Sequence, residues 1–132
     1  MRFIMAITFI VAVMVPAFAE KVTFQAAGNL TVTADLQLPK KNKAKAAIIL
    51  FHMAGASRGE YRDIAPVLNE MGYATLAVDQ RSGGKFNGIK NETAARYGGD
   101  QSYAKAAPDL AAASVWVRKK LDVERVGVIG SS

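Results

Sequence analysis

"AAIILFHMAGASRGEYRDIAPVLNEMGYATLAVDQRSGG", residues 46–84, decides the fold. Ala46–Phe51 and Ala74–Asp79 are unbroken apolar runs, the pattern of strands covered on both faces of a sheet. Between them Tyr61, Ile64, Ala65, Leu68 and Met71 recur at helical spacing, and Gly72 provides a helix stop. Pro66 is tolerated near a helix start or at a bend, so the helix begins near Asp63–Ile64 or bends there. A buried strand, an amphipathic helix and a second buried strand imply parallel pairing through a right-handed crossover.

The pattern extends in both directions. Toward the C-terminus, "RVGVIGSS" (Arg125–Ser132) reads as a third buried strand. It follows the segment Gln101–Leu121, whose main helix has Leu110, Ala113, Val117 and Leu121 as its apolar stripe and Trp116 beside them. Pro108 fits the opening turn of that helix. Gln80–Asp100 reads as one long glycine-rich loop. Toward the N-terminus, Val22 and Phe24 alternate with polar neighbours. Leu30, Val32, Ala34, Leu36 and Leu38 likewise alternate with Thr31, Thr33, Asp35 and Gln37. That is a two-stranded hairpin with one wet face, turned at Gly28–Asn29. In sheets of this type ligands gather at the carboxyl ends of the strands. Those ends are "FHMAGAS", "VDQRSGG" and "IGSS", all of small residues that let backbone approach a ligand.

A serine hydroxyl becomes a useful nucleophile when a tight turn exposes it near a base. Gly130-Ser131-Ser132 fits the first half of the strand-to-helix elbow G-x-S-x-G, with Ser132 as nucleophile. It fits an ordinary strand-to-helix turn with an N-capping serine as well. The loop after His52 is where acyl-transfer enzymes of this architecture place a backbone oxyanion donor. Met53 is the first candidate donor and Ala54 the second. A structural, loop-bonding role for His52 is favoured over a catalytic one.

These residues together resemble the N-terminal half of an α/β-hydrolase, in the dienelactone-hydrolase-like and small secreted esterase-like branch. The resemblance runs from about Lys21 to Ser132. It implies a partial α/β-hydrolase fold, a mostly parallel sheet with an N-terminal antiparallel hairpin and flanking helices, truncated after the fifth strand. It implies hydrolysis of carboxylic esters, lactones or related acyl bonds of a small molecule, without metal or organic cofactor. Ser132 takes the nucleophile's place and Met53 the oxyanion donor's, while Asp79 and Arg81 take the place of a structural turn. Dienelactone hydrolases proper use a cysteine nucleophile, and this chain has no cysteine. The family's acid and base histidine follow the nucleophile, whereas the single histidine, His52, precedes Ser132. The 132-residue chain is therefore expected to be an inactive and aggregation-prone fragment. The alternative is a secreted non-catalytic α/β binding protein or pseudo-hydrolase remnant.

Composition agrees with a globular domain: 51% hydrophobic and 21% charged residues, with a formal net charge of +6. The cations are dispersed except in Pro39–Lys45 and Arg118–Lys120, and no nucleic-acid-binding motif accompanies them. Without G-x-G-x-x-G or GK[ST] after the first parallel strand, a nucleotide-binding reading has no support. Without cysteine there are no disulfides and no thiolate metal ligands. Residues 1–19 have Arg2, the apolar run Phe3–Val15, then Pro16 and Ala17-Phe18-Ala19, the pattern of a signal peptide cleaved after Ala19. Secretion or export to the periplasm follows, with no stable membrane span after cleavage and residues 20–132 as the mature domain. An uncleaved anchor is the alternative. Asn91-Glu92-Thr93 fits a glycosylation acceptor.

Overall fold

The computed structural model describes residues 19–41 and 43–132. The expected signal segment lies outside them, apart from Ala19. Two antiparallel strands, β1 (Glu20–Ala26) and β2 (Leu30–Gln37), form the hairpin. Its loop places Gly28 at φ 83° and Asn29 at φ 57°, the left-handed region that glycine and asparagine adopt most readily. The remaining strands are β3 (Ala47–Phe51), β4 (Ala74–Asp79), the short pair β5 (Lys85–Phe86) and β6 (Ile89–Lys90), and β7 (Val126–Gly130). Among the described residues three α-helices lie between them: α1 (Ile64–Glu70), α2 (Glu92–Arg96) and α3 (Ala107–Leu121).

The main sheet has the order β1-β2-β4-β3-β7. It is mixed: β1–β2 and β2–β4 pair antiparallel, β4–β3 and β3–β7 parallel. The crossover strands are thus parallel to one another, and the hairpin joins their edge at β4. Ala47, Ile49 and Phe51 of β3 face α3, where they meet Leu76, Val78, Ala113 and Val117. Leu50 and the partly buried Ile48 face α1, against Tyr61, Ala65 and Ala77. This explains the unbroken apolar runs, since each residue of β3 finds a covered face. Each fully buried aliphatic side chain contributes about 1.5–3 kcal/mol. Trp116 of α3 stacks on Phe24 of β1 with ring centroids 5.5 Å apart. α3 ends where Asp122 turns left-handed at φ 50°.

Three sequence expectations need correction. The apolar stripe of α1 is narrower than its spacing suggests. Ile64 and Met71 are 47% and 55% exposed, because a seven-residue helix turns only Ala65, Leu68 and the preceding Tyr61 to the sheet. Its inner end is instead polar: buried Asn69 donates from Nδ2 to the carbonyls of Gln37 and Tyr73. The segment Gln80–Asp100 is not an open loop but holds the β5–β6 hairpin and α2. Asn87 (φ 47°) and Gly88 (φ 77°) make its tight turn, a signal the Asn-Gly pair carries by itself. The Asn91 acceptor reading fails as well. Its side chain is buried as the N-cap of α2, accepting from the Ala94 N–H at 2.8 Å, so no sugar could reach it in the folded chain.

Among the described residues β7 pairs with β3 alone. Its outer edge leaves Val128 60% and Ile129 40% exposed. An apolar strand edge of this kind is a template for pairing with another strand.

Candidate active site

The site assembles where β3, β4 and β7 end. Parallel pairing sets Phe51 opposite Gly130, and the next N–H, that of Ser131, donates to the Phe51 carbonyl at 3.1 Å. Ser131 and Ser132 therefore follow β7 at the same end of the sheet at which His52 and Met53 follow β3. Ser132 is exposed. The same Phe51 carbonyl accepts from the Tyr61 hydroxyl at 2.8 Å, and burial pushes that phenol up to about 12.

His52 is fully buried and has a partner at each ring nitrogen. Nδ1 lies 2.8 Å from the Met53 carbonyl. Nε2 accepts from the Gln80 backbone N–H at 3.3 Å and lies 3.2 Å from Asn91 Nδ2. These partners fix the neutral tautomer with its proton on Nδ1. Gln80 closes the connection by donating from Nε2 to the His52 carbonyl at 2.8 Å. Burial lowers the imidazole pKa, against smaller raising effects of the Met53 carbonyl and the Asp79, Glu60 and Asp100 carboxylates. In an unfolded chain the imidazole titrates near its ordinary 6.5. The folded state thus binds fewer protons below that pH, and stability falls as pH drops from about 6.5 toward the lower folded value. The limiting slope is about 1.4 kcal/mol per pH unit. Urea titrations between pH 7 and pH 5 will show stability falling with pH in the native sequence and falling less in His52→Gln.

The strand end "VDQRSGG" is locked by two ion-pair systems. Asp79 is fully buried and accepts from the Arg58 N–H at 2.7 Å, Arg58 Nη1 at 2.5 Å and the Glu92 N–H at 2.8 Å. Burial pushes its carboxyl pKa up, while these donors pull the other way. Arg58 lies within 3.0 Å of both an Asp35 and a Glu92 oxygen, in ion-pair contact but not aligned as hydrogen bonds. Burial opposes its charge, but Asp79 and Asp35 hold its pKa above the ordinary value. Two residues on, Arg81 grips Asp109 of α3: Nη2 to Oδ1 at 2.7 Å, and backbone N–H to Oδ2 at 2.9 Å. Its guanidinium also lies over the Tyr97 ring, 5.1 Å from the centroid.

Gly83 is where these systems meet. A Cβ there would stand 2.3 Å from Asn91 Nδ2, 2.4 Å from the Ala56 carbonyl and 2.8 Å from His52 Cε1. Its N–H donates to Asp100 Oδ1 at 2.6 Å. Gly83→Ala is expected to lower stability by about 1–3 kcal/mol through overpacking, read as a lowered urea midpoint with an unchanged slope.

Sequence reading missed Glu60, Gln80, Asn91, Asp100 and Asp109. All but Glu60 act across 11 to 39 residues of sequence, where no short motif links the partners. Two cavities, about 210 Å³ around Asp35, Arg58 and Tyr61 and about 620 Å³ around Leu38, Met71 and Lys40, do not include His52, Met53 or Ser132. Among the described residues, no group of three His, Cys, Asp or Glu side chains could hold a metal ion, and no helix is long and apolar enough to cross a membrane.

No protein-family model and no curated protein sequence matches the chain. Solved structures do. A thermostable carboxyl esterase from Bacillus coagulans aligns with TM-score 0.65 at 22% identity, over 86% of this chain and 36% of that one. An esterase from Pyrococcus furiosus aligns with TM-score 0.62 at 22% identity, over 87% and 40%. A 2,6-dihydroxy-pseudo-oxynicotine hydrolase aligns with TM-score 0.63 at 18% identity, over 85% and 29%. The chain thus spans about two fifths or less of the length of these proteins. The likeness establishes the fold: a partial α/β-hydrolase fold, with five strands in the main sheet.

Proposed function

We propose that residues 20–132 are the N-terminal part of a serine hydrolase acting on carboxylic esters, lactones or related acyl bonds. The observation that carries this reading is the β3–β7 register. It sets Gly130 opposite Phe51 and bonds the Ser131 N–H to the Phe51 carbonyl, so the two serines follow β7 at the end of the sheet where His52, Met53 and Ala54 follow β3. The esterase and hydrolase activities of the structural neighbours agree with it. Ser132 Oγ would attack the acyl carbon, forming a C–O bond while the carbonyl π pair moves onto oxygen. Its proton would pass to a general base and then to the departing alcohol, and water would release the acid in a second, equivalent step. The base and its acid partner would come from residues C-terminal to Ser132. His52 cannot serve, since both of its ring nitrogens are committed within the fold.

His52, Asp79 and Arg81 would hold the loops, with Met53 and Ala54 as the two candidate oxyanion donors. Residues 1–19 would direct export and be removed after Ala19. The test is hydrolysis of a short-chain p-nitrophenyl ester by the full-length protein, with loss of the activity on treatment with a serine-directed phosphonate. Turnover that survives complete phosphonylation would refute the serine mechanism. The commitment of the single histidine favours one other reading, a non-catalytic binding protein. It would be supported by a full-length sequence that has no histidine after Ser132.

A further inference from the structure

The Met53 N–H is not free. It donates to Glu60 Oε2 at 2.8 Å, across seven residues of chain. Glu60 lies in a 3₁₀ turn, Arg58–Tyr61, that is pinned at both ends. At its start Ser57 Oγ accepts from the Gly59 N–H at 3.2 Å and donates to the Ile89 carbonyl at 2.7 Å. At its end the Tyr61 hydroxyl reaches Phe51. The carboxylate is thus aimed at the loop by a rigid support. An N–H given to a carboxylate is a poor donor for an acyl oxygen, because taking it would strand the carboxylate and lose a charge-assisted bond. The next residue differs. Ala54 is exposed, and among the described residues its N–H has no acceptor. It sits in a turn closed by the Ala56 N–H on the Met53 carbonyl at 3.2 Å.

We infer that Glu60 is a positioning residue. By holding the Met53 N–H it fixes the turn so that the Ala54 N–H is presented as the oxyanion donor, in preference to that of Met53. This rests on the serine-hydrolase reading above. The partial exposure of Glu60 to water limits repulsion between its charge and an oxyanion at Ala54. Donor placement matters steeply, since about 1 Å of displacement costs on the order of 10²-fold in rate.

The experiment follows phosphonylation of the full-length protein by a fluorophosphonate, with folding checked by thermal unfolding. Glu60→Ala is expected to slow labelling of Ser132, and kcat for ester, by roughly 10²-fold with KM little changed. Glu60→Gln keeps a carbonyl oxygen within reach of the Met53 N–H and should restore most of the rate. Labelling of Glu60→Ala at the native rate would overturn the inference, as would Glu60→Gln remaining as slow as Glu60→Ala. A measurement on the unsubstituted protein stands apart from any folding defect. When Ser132 is phosphonylated, the Ala54 amide proton should move downfield in the NMR spectrum while that of Met53 stays. The reverse would make Met53 the donor. If Ser132 in the unsubstituted protein takes no label at all, the failure belongs to the serine-hydrolase reading itself.

Discussion

Ser132→Ala in the full-length protein is expected to reduce ester turnover by about 10⁴-fold or more, leaving KM and thermal stability nearly unchanged. The size follows from what the hydroxyl would do. A nucleophile acting as a unit with its base contributes most of the chemical acceleration, and the residue left without it comes from binding and oxyanion stabilisation. Stability should be spared because Ser132 is exposed at the end of β7 and the bond that aligns this end belongs to the Ser131 N–H. Ser131→Ala, which keeps that backbone bond, should retain most activity. A Ser132→Ala protein with native turnover would move the nucleophile elsewhere. The 132-residue chain alone, whose single histidine is buried in the loop network, should hydrolyse no ester above background.

The largest structural effect is expected at Asp79. Asp79→Ala removes the acceptor of two backbone N–H groups and the main partner of Arg58, which is 8% exposed. Breaking a buried pair by deleting one partner costs about 3–5 kcal/mol, because the remaining charge stays desolvated. Domains have about 5–15 kcal/mol in total. The variant should therefore lose most of its soluble yield or unfold at much lower urea. Removing both charges, as Arg58→Met with Asp79→Asn, should cost less than the sum of the two single changes, since neither member of the pair is then left charged without the other. A loss below about 1 kcal/mol in Asp79→Ala would mean that water or Asp35 and Glu92 already satisfy Arg58.

Much of the fold was legible because it depends on local pattern. The apolar runs of β3 and β4, the stripe of α3 and the alternation of β1 and β2 each report a face that must be covered. The carboxyl-end loops followed from topology alone. What was not legible depends on contacts between distant residues. Glu60 looks like one more charge in a helix-like stretch until the 3₁₀ turn aims it at Met53. Asn91 fits a surface triplet until α2 buries it against His52 and Gln80. The stripe on α1 misled because helical spacing records what a helix could bury, while its length and the sheet's width decide what it does bury. The Asn87-Gly88 turn carries its own signal, but it lies inside a longer glycine-rich stretch that masks it.

The central claim is that the residues after β7 present a nucleophile to the backbone beside His52. Its most direct test is peptide mapping of the full-length protein after reaction with a fluorophosphonate. One adduct is expected, on Ser132, and its formation should track the loss of ester turnover. An adduct on any other residue, or full inhibition with Ser132 unmodified, would contradict it.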